Sequence, residues 1–366
     1  MRSPTRRRLA VLLAAVLALV VSACGGDDGG EAEPAGTSSP TAGADTPEPV
    51  SSEPITLRLG YFPNVTHAPA IIGHHGGFFE DALGDNVTLE ISNFNAGGEA
   101  VEAIFSGALD ATFIGPNPAI NAYARDTQSI RIVAGTASGG AYLVVKDDID
   151  GPEDLAGKTL SSPALGNTQD VALRAWLQEQ GYETDTAGGG DVSILPQENS
   201  QILTTFIDGS IDGAWVPEPW ATRLVDEGGG KILVDEAELW PDGKYVTTHL
   251  VVTKDFLDEH PDVVHQLIEG LAAALDVVER DRDEAERLTA QGIEEITGKP
   301  IAPELVTASF DNLTFTLDPV ATSLTTSAEN ATALGLLDPV DLDGIYDLTL
   351  LNEVLADRGE PEVSDP

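Results

Sequence analysis

Residues 106–114 read Ser106-Gly107-Ala108-Leu109-Asp110-Ala111-Thr112-Phe113-Ile114, and residues 208–216 echo them as Asp208-Gly209-Ser210-Ile211-Asp212-Gly213-Ala214-Trp215-Val216. In each copy a helix ends at glycine, an aspartate opens a strand, and an aromatic-aliphatic pair closes it. Gly115-Pro116-Asn117-Pro118 follows the first copy and Pro217-Glu218-Pro219-Trp220 the second. We read the copies as equivalent positions in two lobes, each with its own sheet. In open α/β sheets ligands sit beyond the carboxyl ends of strands. Two facing lobes would therefore enclose one ligand between these loops.

The pattern extends both ways from the repeat. Before it, Ile55 to Tyr61 alternates Ile55, Leu57, Leu59 and Tyr61 as a strand does, and Val87 to Phe94 is a second strand. A helix opens at Gly97, with Val101, Ile104 and Phe105 on one face. Asp110 to Ile114 is a strand, followed by a helix through Tyr123 and strands at Ile130 to Ala134 and Tyr142 to Val145. The second half predicts strands at Lys158 to Ser161, Val192 to Leu195, Ile211 to Val216 and Val246 to Val252, the last of the chain. Helices are expected after Thr168 and up to Phe206. From His260 on, Val264, Leu267, Ile268, Leu271, Leu275 and Val278 recur at helical spacing. Strands alternating with helices predict an α/β body with mostly parallel sheets.

Ahead of the body lie two segments of another kind. Arg2, Arg6, Arg7 and Arg8 precede the apolar run Leu9 to Val21, as in a signal peptide; thirteen residues are too few to span a bilayer. The run ends in Val21-Ser22-Ala23-Cys24, which looks like a bacterial lipobox, and Cys24 is the only cysteine of the 366 residues. It is the expected lipidation site, with residues 1–23 removed. Residues 25–53 hold no aromatic and no basic residue and one β-branched aliphatic, Val50. Such a stretch cannot bury enough surface to fold. It reads as a tether with a root-mean-square reach of roughly 30 Å.

Charge and composition exclude several classes. The formal charge is −42; without the leader's four arginines, 15 basic residues face 61 acidic ones, or −46. A nucleic-acid binder needs a basic face, so nucleic acid is excluded as a partner. A single cysteine forms no internal disulfide and supports no cysteine metal site. No G-x-S-x-G, P-loop or H-E-x-x-H motif is present, so no enzyme, metal or cofactor is expected. His74-His75 is either a metal pair or a helix surface. Adjacent helical histidines diverge and no further ligand follows at metal spacing, which favours the surface. His260 and His265 are expected in solvent.

Candidate binding residues sit where strands hand over to helices. Asn64-Val65-Thr66-His67 follows the first strand, as either a ligand-facing turn or a simple cap. Phe94-Asn95-Ala96-Gly97-Gly98, Gly115-Pro116-Asn117-Pro118 and Leu165-Gly166-Asn167-Thr168 each open a helix, whose unpaired N–H groups favour anions. Capping is the ordinary role of such turns. In Trp215-Val216-Pro217-Glu218-Pro219-Trp220, one tryptophan suits the core and the other a cleft wall. A carboxylate there would repel an anion unless it were paired or turned away.

With these residues in hand, the chain resembles the solute-binding lipoproteins of ABC importers, in the branch handling nitrate, taurine and aliphatic sulfonates. The resemblance runs from Ile55 to beyond Leu257. Its carriers, besides the segments above, are Leu59-Gly60-Tyr61-Phe62-Pro63, Gly76-Gly77-Phe78-Phe79 and Asp154-Leu155-Ala156-Gly157-Lys158-Thr159. It implies a type II periplasmic-binding-protein (Venus flytrap) fold, two α/β lobes joined by two hinge strands. The first lobe would be 54–142 with the chain after 250 returning to it, and the second 143–249. Hinges would lie near Ala141–Val145 and Val246–Val251. The implied cleft residues are Asn64, Thr66, His67, Asn95, Gly97, Gly115, Pro116, Asn117, Ser138, Gly166, Asn167, Thr168, Trp215 and Glu218. The implied partners are a small ligand, a permease and an ATPase, with the protein monomeric and held at the membrane by lipid. The implied ligand is a small oxyanion such as an aliphatic sulfonate, taurine or nitrate. No arginine stands in the loops to pair with a sulfonate: Arg174 is deep in its helix and Arg223 lies beyond Trp220. A pyrimidine thiamin precursor is the alternative ligand, suited by the tryptophans and Glu218. Further off stand a small-molecule enzyme on the same fold and a lipoprotein without a ligand.

Overall fold

A computed structural model describes residues 54–364, so the leader, Cys24 and the tether lie outside the described residues. The first sheet is built from β1 (Ile55–Tyr61), β2 (Val87–Asn93), β3 (Ala111–Ile114), β4 (Ile130–Gly139), β10 (Val246–Thr253) and β11 (Leu313–Phe315), in the order β11-β4-β10-β3-β1-β2. The second is built from β5 (Ala141–Val145), β6 (Thr159–Ser162), β7 (Ser193–Pro196), β8 (Gly213–Pro217) and β9 (Lys231–Asp235), in the order β7-β6-β8-β5-β9. The two copies of the repeat supply β3 and β8, each an interior strand of its own sheet.

The sheets are mixed, which corrects the expectation of mostly parallel ones. β1 runs parallel to β2 and β3, and β6 parallel to β7 and β8, because a helix intervenes between each successive pair. β4 and β5, however, are separated by Gly140 alone, and the chain returns from β9 to β10 without a crossover helix. Strands that cross between sheets this way arrive in the opposite sense. β10 is antiparallel to β3 and β4, and β5 to β8 and β9. Gly139 and Gly140 both have positive φ, 84° and 71°, and a Cβ on Gly140 would lie 2.5 Å from Leu313 Cδ2. Glycine is therefore required at this crossing. Thr247 Oγ1 donates to the Gly139 carbonyl at 2.5 Å, tying the returning strand to the outgoing one.

Helices cover both sheets. They are α1 (Ala68–His75), α2 (Phe78–Leu83), α3 (Gly97–Phe105), α4 (Pro116–Arg125), α5 (Thr168–Glu179), α6 (Asn199–Ile207) and α7 (Trp220–Asp226). Beyond β10 come α8 (Lys254–Glu259), α9 (Pro261–Arg280), α10 (Arg282–Thr297), α11 (Pro303–Asp311), α12 (Ala321–Ala333) and α13 (Thr349–Arg358). The apolar stripe of α9, including Val264, Leu267, Ile268 and Leu271, is buried with Leu57, Leu59 and Phe79 in one core. Truncating such a side chain to alanine costs about 2–5 kcal/mol. The second sheet buries Trp215, Trp176 and Leu160 on one face and Val216, Phe206 and Leu224 on the other. Among the described residues no helix is long and apolar enough to cross a membrane.

Candidate functional site

A cavity of about 40 Å³ lies between the two sheets. The first sheet's side contributes Phe62, Asn64, Thr66 and His67 after β1, Asn95, Ala96 and Gly97 after β2, and Gly115 and Pro118 after β3. The second contributes Pro163, Asn167, Thr168 and Gln169 after β6, Asn199 after β7, and Pro217 of β8. Thr247 of β10 completes the lining. The parallel strands of both sheets thus present their carboxyl ends to one space, where open α/β sheets place ligands.

None of these lining side chains is Asp, Glu, Lys or Arg. Positive potential comes instead from helix ends. Ala96 and Gly115 are the N-cap residues of α3 and α4, Asn167 and Thr168 open α5, and Asn199 is the first residue of α6. Of these four helices, α5 alone has a side-chain cap, Asn167 Oδ1 accepting from the Asp170 N–H at 3.1 Å. The N-cap residues of α3 and α6 make no side-chain cap, so first-turn N–H groups there stay uncapped, whereas α4 offers the N–H of Asn117 alone, because Pro116 and Pro118 have none. Such groups and the attendant dipoles favour an anion.

Close approach explains two of the glycines. A Cβ on Gly97 would lie 2.3 Å from Pro118 Cγ, and one on Gly115 would lie 2.6 Å from Thr168 Oγ1, across from the other sheet. A methyl group at either position would have to displace its neighbour, the Pro118 ring beside Gly97 on the same side or the Thr168 side chain across the cavity from Gly115.

His67 is 4% exposed, and burial pushes its imidazole down to about 3, so it is neutral at physiological pH. Its ring packs 4.5 Å from that of Phe62, and its Nδ1 is buried with no partner. Asn199, 8% exposed, has a buried and equally unpartnered Oδ1. Buried polar atoms are normally hydrogen-bonded. Two such atoms on residues lining one cavity, one from each sheet, make it the candidate site.

Of the residues expected at the cleft, Asn64, Thr66, His67, Asn95, Gly97, Gly115, Asn167 and Thr168 line this cavity. The structure places the others elsewhere. Pro116 is buried in the first turn of α4, and Asn117 Nδ2 donates to the Ser327 carbonyl of α12 at 3.3 Å. Ser138 borders a separate hollow beside Gly139 and Gly140. Gly166 donates its N–H to Asp170 Oδ2 at 2.9 Å. Trp215 faces the core, where its Nε1 donates to buried Glu236 Oε2 at 2.7 Å. Glu218 turns away from the cavity. Its carboxylate accepts from Thr222 N at 3.2 Å, Thr222 Oγ1 at 2.8 Å, Ser309 Oγ at 3.3 Å and Asn312 Nδ2 at 2.7 Å, while burial pushes its pKa up.

The arginines are equally engaged. Buried Arg174 donates Nε to Asp170 Oδ2 at 2.9 Å and Nη1 to the Asp185 carbonyl at 2.8 Å. Asp170 also holds Ser162 Oγ at 2.6 Å, so the pair fixes the loop carrying Asn167 and Thr168. Arg223 pairs with Glu227 and lies over the Trp220 ring. The histidine pair is less exposed than a helix surface would be: Tyr61 Oη lies 2.8 Å from His74 Nδ1, and His75 Nδ1 3.3 Å from Glu295. His260 packs on Phe256, and His265 lies 3.7 Å from Glu269. No cluster of three or more metal-ligating side chains occurs among the described residues.

Sequence reasoning misses Phe62, Ala96, Pro118, Pro163, Gln169, Asn199, Pro217 and Thr247. Asn199 carries a usable signal, since Gln197-Glu198-Asn199 joins a strand to a helix like the other candidate turns. Thr247, on a returning strand, carries none.

A model of the NMT1-like family matches residues 51–294. The taurine-binding periplasmic protein of Escherichia coli is 32% identical over 178 residues, covering 48% of this chain and 53% of that protein. The nitrate/nitrite binding protein NrtA of Synechococcus elongatus is 25% identical over 289 residues, covering 71% of this chain and 63% of that protein. The matches thus span little more than half the length of these relatives. The alkanesulfonate-binding protein SsuA of Xanthomonas axonopodis, solved with MOPS, superposes with a TM-score of 0.66 at 19% identity, over 79% of this chain and 96% of that one. At that identity the likeness is one of fold.

Proposed function

The chain belongs to the NMT1-like family, and from that premise we propose that it is the extracytoplasmic solute-binding component of an ABC importer, taking a small oxyanion between its two sheets. The observation that carries this reading is the cavity itself: it has no charged side chain, uncapped helix starts approach it from both sheets, and His67 and Asn199 hold orphaned polar atoms. These are the means of binding an anion reversibly. Opening and closing would pivot on the Gly139-Gly140 crossing and on the return from β9 to β10. Cys24 would carry the lipid and residues 25–53 the tether, keeping a monomeric receptor beside its permease and ATPase. The pyrimidine alternative relies on the tryptophans and Glu218: Trp215 and Glu218 are committed to the core and to α11, while Trp220 stands beside cavity-lining Asn64. We read the protein as a binder with no turnover of its own.

Thermal-shift and calorimetric titration of the purified chain with sulfonates, taurine, nitrate, hydrogencarbonate and a pyrimidine tests the proposal. A ligand at a hundred times its Kd stabilises by about 2.7 kcal/mol and raises Tm. Silence across the oxyanions, with a clear response to the pyrimidine, would reverse the ligand class. In cells Cys24→Ala should leave the membrane fraction; retention there would refute the anchor.

A further inference from the structure

We propose that the hollow beside the Gly139-Gly140 crossing is a second binding site, taking an aliphatic diammonium ion that touches both sheets. The site is separate from the cavity described above, and its case does not depend on what that cavity holds.

The hollow, of about 490 Å³, has walls that belong to different sheets. On one side stand Tyr142 of β5 and Asp235 at the end of β9, with Asp242 and Lys244 on the return toward β10. On the other stand Leu313 of β11 and, just beyond that strand, Asp318. The segment before Asp318 is tied to the first sheet, since the Leu317 carbonyl accepts from the Gly135 N–H of β4 at 2.8 Å.

Tyr142 carries the argument. It is 7% exposed, yet its side chain lines the hollow and its hydroxyl has no hydrogen-bond partner among the described residues. Buried polar side chains are normally hydrogen-bonded. Tyr142 and Asp235 are directly opposed on antiparallel β5 and β9, and such residues carry their side chains on one face. An ammonium group that donates to the Asp235 carboxylate and to the Tyr142 oxygen satisfies both through charge-assisted bonds.

Charge sets the class of occupant. Asp235 and Asp318 each spend one oxygen on a local turn, accepting from the Ala237 and Val320 N–H groups, and keep the other. Asp242 is exposed and unpaired among the described residues, whereas Asp311 on the same rim already holds Arg282 at 2.7 Å. Three unpaired carboxylates against Lys244 leave two negative charges. Among the described residues no three carboxylate or imidazole groups are placed to hold a metal ion, so the answering charges must sit apart. A short methylene chain between them would lie along the Tyr142 ring and Leu313. Exposed ion pairs contribute little by themselves, so the buried hydroxyl supplies the selectivity.

Isothermal titration of the purified chain with 1,4-diaminobutane at physiological ionic strength tests the site. Butylamine and magnesium chloride serve as the single-charge and point-charge controls. We expect saturable binding of one diamine per chain, with both controls at least tenfold weaker. Tyr142→Phe keeps the ring and loses a hydroxyl that bonds nothing in the fold. Asp235→Asn and Asp318→Asn keep the acceptors for Ala237 and Val320. Each of the three should melt like wild type and bind the diamine at least fivefold more weakly. Glu90→Gln, on β2 at the opposite edge of the first sheet from β11, should bind it as wild type does. No diamine binding, several ions bound per chain, magnesium binding as tightly, or an equal loss in Glu90→Gln would reduce the effect to diffuse attraction by an acidic surface and overturn the proposal. Wild-type diamine affinity in Tyr142→Phe, or in either wall variant, would overturn it as well.

Discussion

Trp220 and Asn64 meet across the cleft: the indole Nε1 of Trp220 donates to Asn64 Oδ1 at 2.9 Å. Asn64 follows β1 of the first sheet and lines the cavity, whereas Trp220 opens α7 beside the second sheet. Arg223 lies over the indole, 4.8 Å from guanidinium to ring centre. The contact therefore joins the two sheets at the rim of the site and is available only when they are close together.

Trp220→Phe keeps the ring and removes the donor. A neutral hydrogen bond contributes about 0.5–1.5 kcal/mol net. We predict a roughly three- to tenfold loss of anion affinity by calorimetry, with unchanged far-UV dichroism. Affinity equal to wild type would show that the bond does not hold the closed form.

Gly115→Ala tests closure by wedging. The backbone of Gly115 has φ −71°, which alanine adopts freely, so the helix itself should not suffer. The added methyl would sit 2.6 Å from Thr168 Oγ1 on the opposing loop. We predict at least a tenfold loss of affinity with a change in Tm of only a few degrees. Normal affinity would mean that the two loops do not approach this closely in the bound state.

Glu218→Gln separates structure from binding. Asn312 Nδ2 donates to Glu218 Oε1 at 2.7 Å, and an amide cannot accept at both of its positions. One donor of the set would face another donor. Leaving a buried donor unsatisfied costs about 1–3 kcal/mol. We predict that loss in urea unfolding, with affinity for the anion within about twofold of wild type. A collapse of affinity without loss of stability would place Glu218 at the ligand after all.

These contrasts also show how far the sequence can be read. The repeat at Asp110 and Asp212 places two sheets and their ligand-side loops, because a βαβ unit leaves strong periodic and glycine signals. β9 and β11 leave no such signal, since Lys231–Asp235 and Leu313–Phe315 are short edge strands whose pairing depends on partners remote in sequence. The apolar pattern of β4 ends at Ala134, but the strand continues to Gly139 by pairing its small residues with β10 and β11. At the site, helix-start residues such as Asn167 and Thr168 are legible from local chemistry. Trp215 and Glu218 are harder, because the direction of a side chain leaving β8 is set by packing against Trp176 and α11, which no local pattern encodes.

His67 links stability to pH. Its folded pKa, about 3, lies below the ordinary histidine value near 6.5, so the unfolded chain binds more protons as pH falls. Its contribution is fully present above pH ~6.5 and is lost progressively between there and about pH 3, at up to ~1.4 kcal/mol per pH unit. Glu236, pushed up to about 7 by burial, acts in the opposite sense: its contribution is present at low pH and is lost as pH rises from about 4.5 to 7. The two must be separated by comparison. We predict that the difference in unfolding free energy between wild type and His67→Gln falls by more than ~1 kcal/mol between pH 6.5 and 5. A difference independent of pH would show that His67 titrates normally.

Asn199→Asp places a charge where the cavity has none. The substitution is isosteric, and residue 199 is the first of α6, where the helix dipole favours a carboxylate and offsets part of the cost of burying one. Its effect on a bound anion is the reverse. Two like charges about 5 Å apart at an effective dielectric near 20 repel by about 3 kcal/mol, or more than a hundredfold in affinity. We predict that loss at pH 8 by titration with nitrate or hydrogencarbonate. Protonating the introduced carboxylate removes the repulsion, so nitrate binding should recover as pH falls through its pKa, which burial raises. Wild-type anion affinity in the variant at pH 8 would mean that the ligand does not lie beside Asn199.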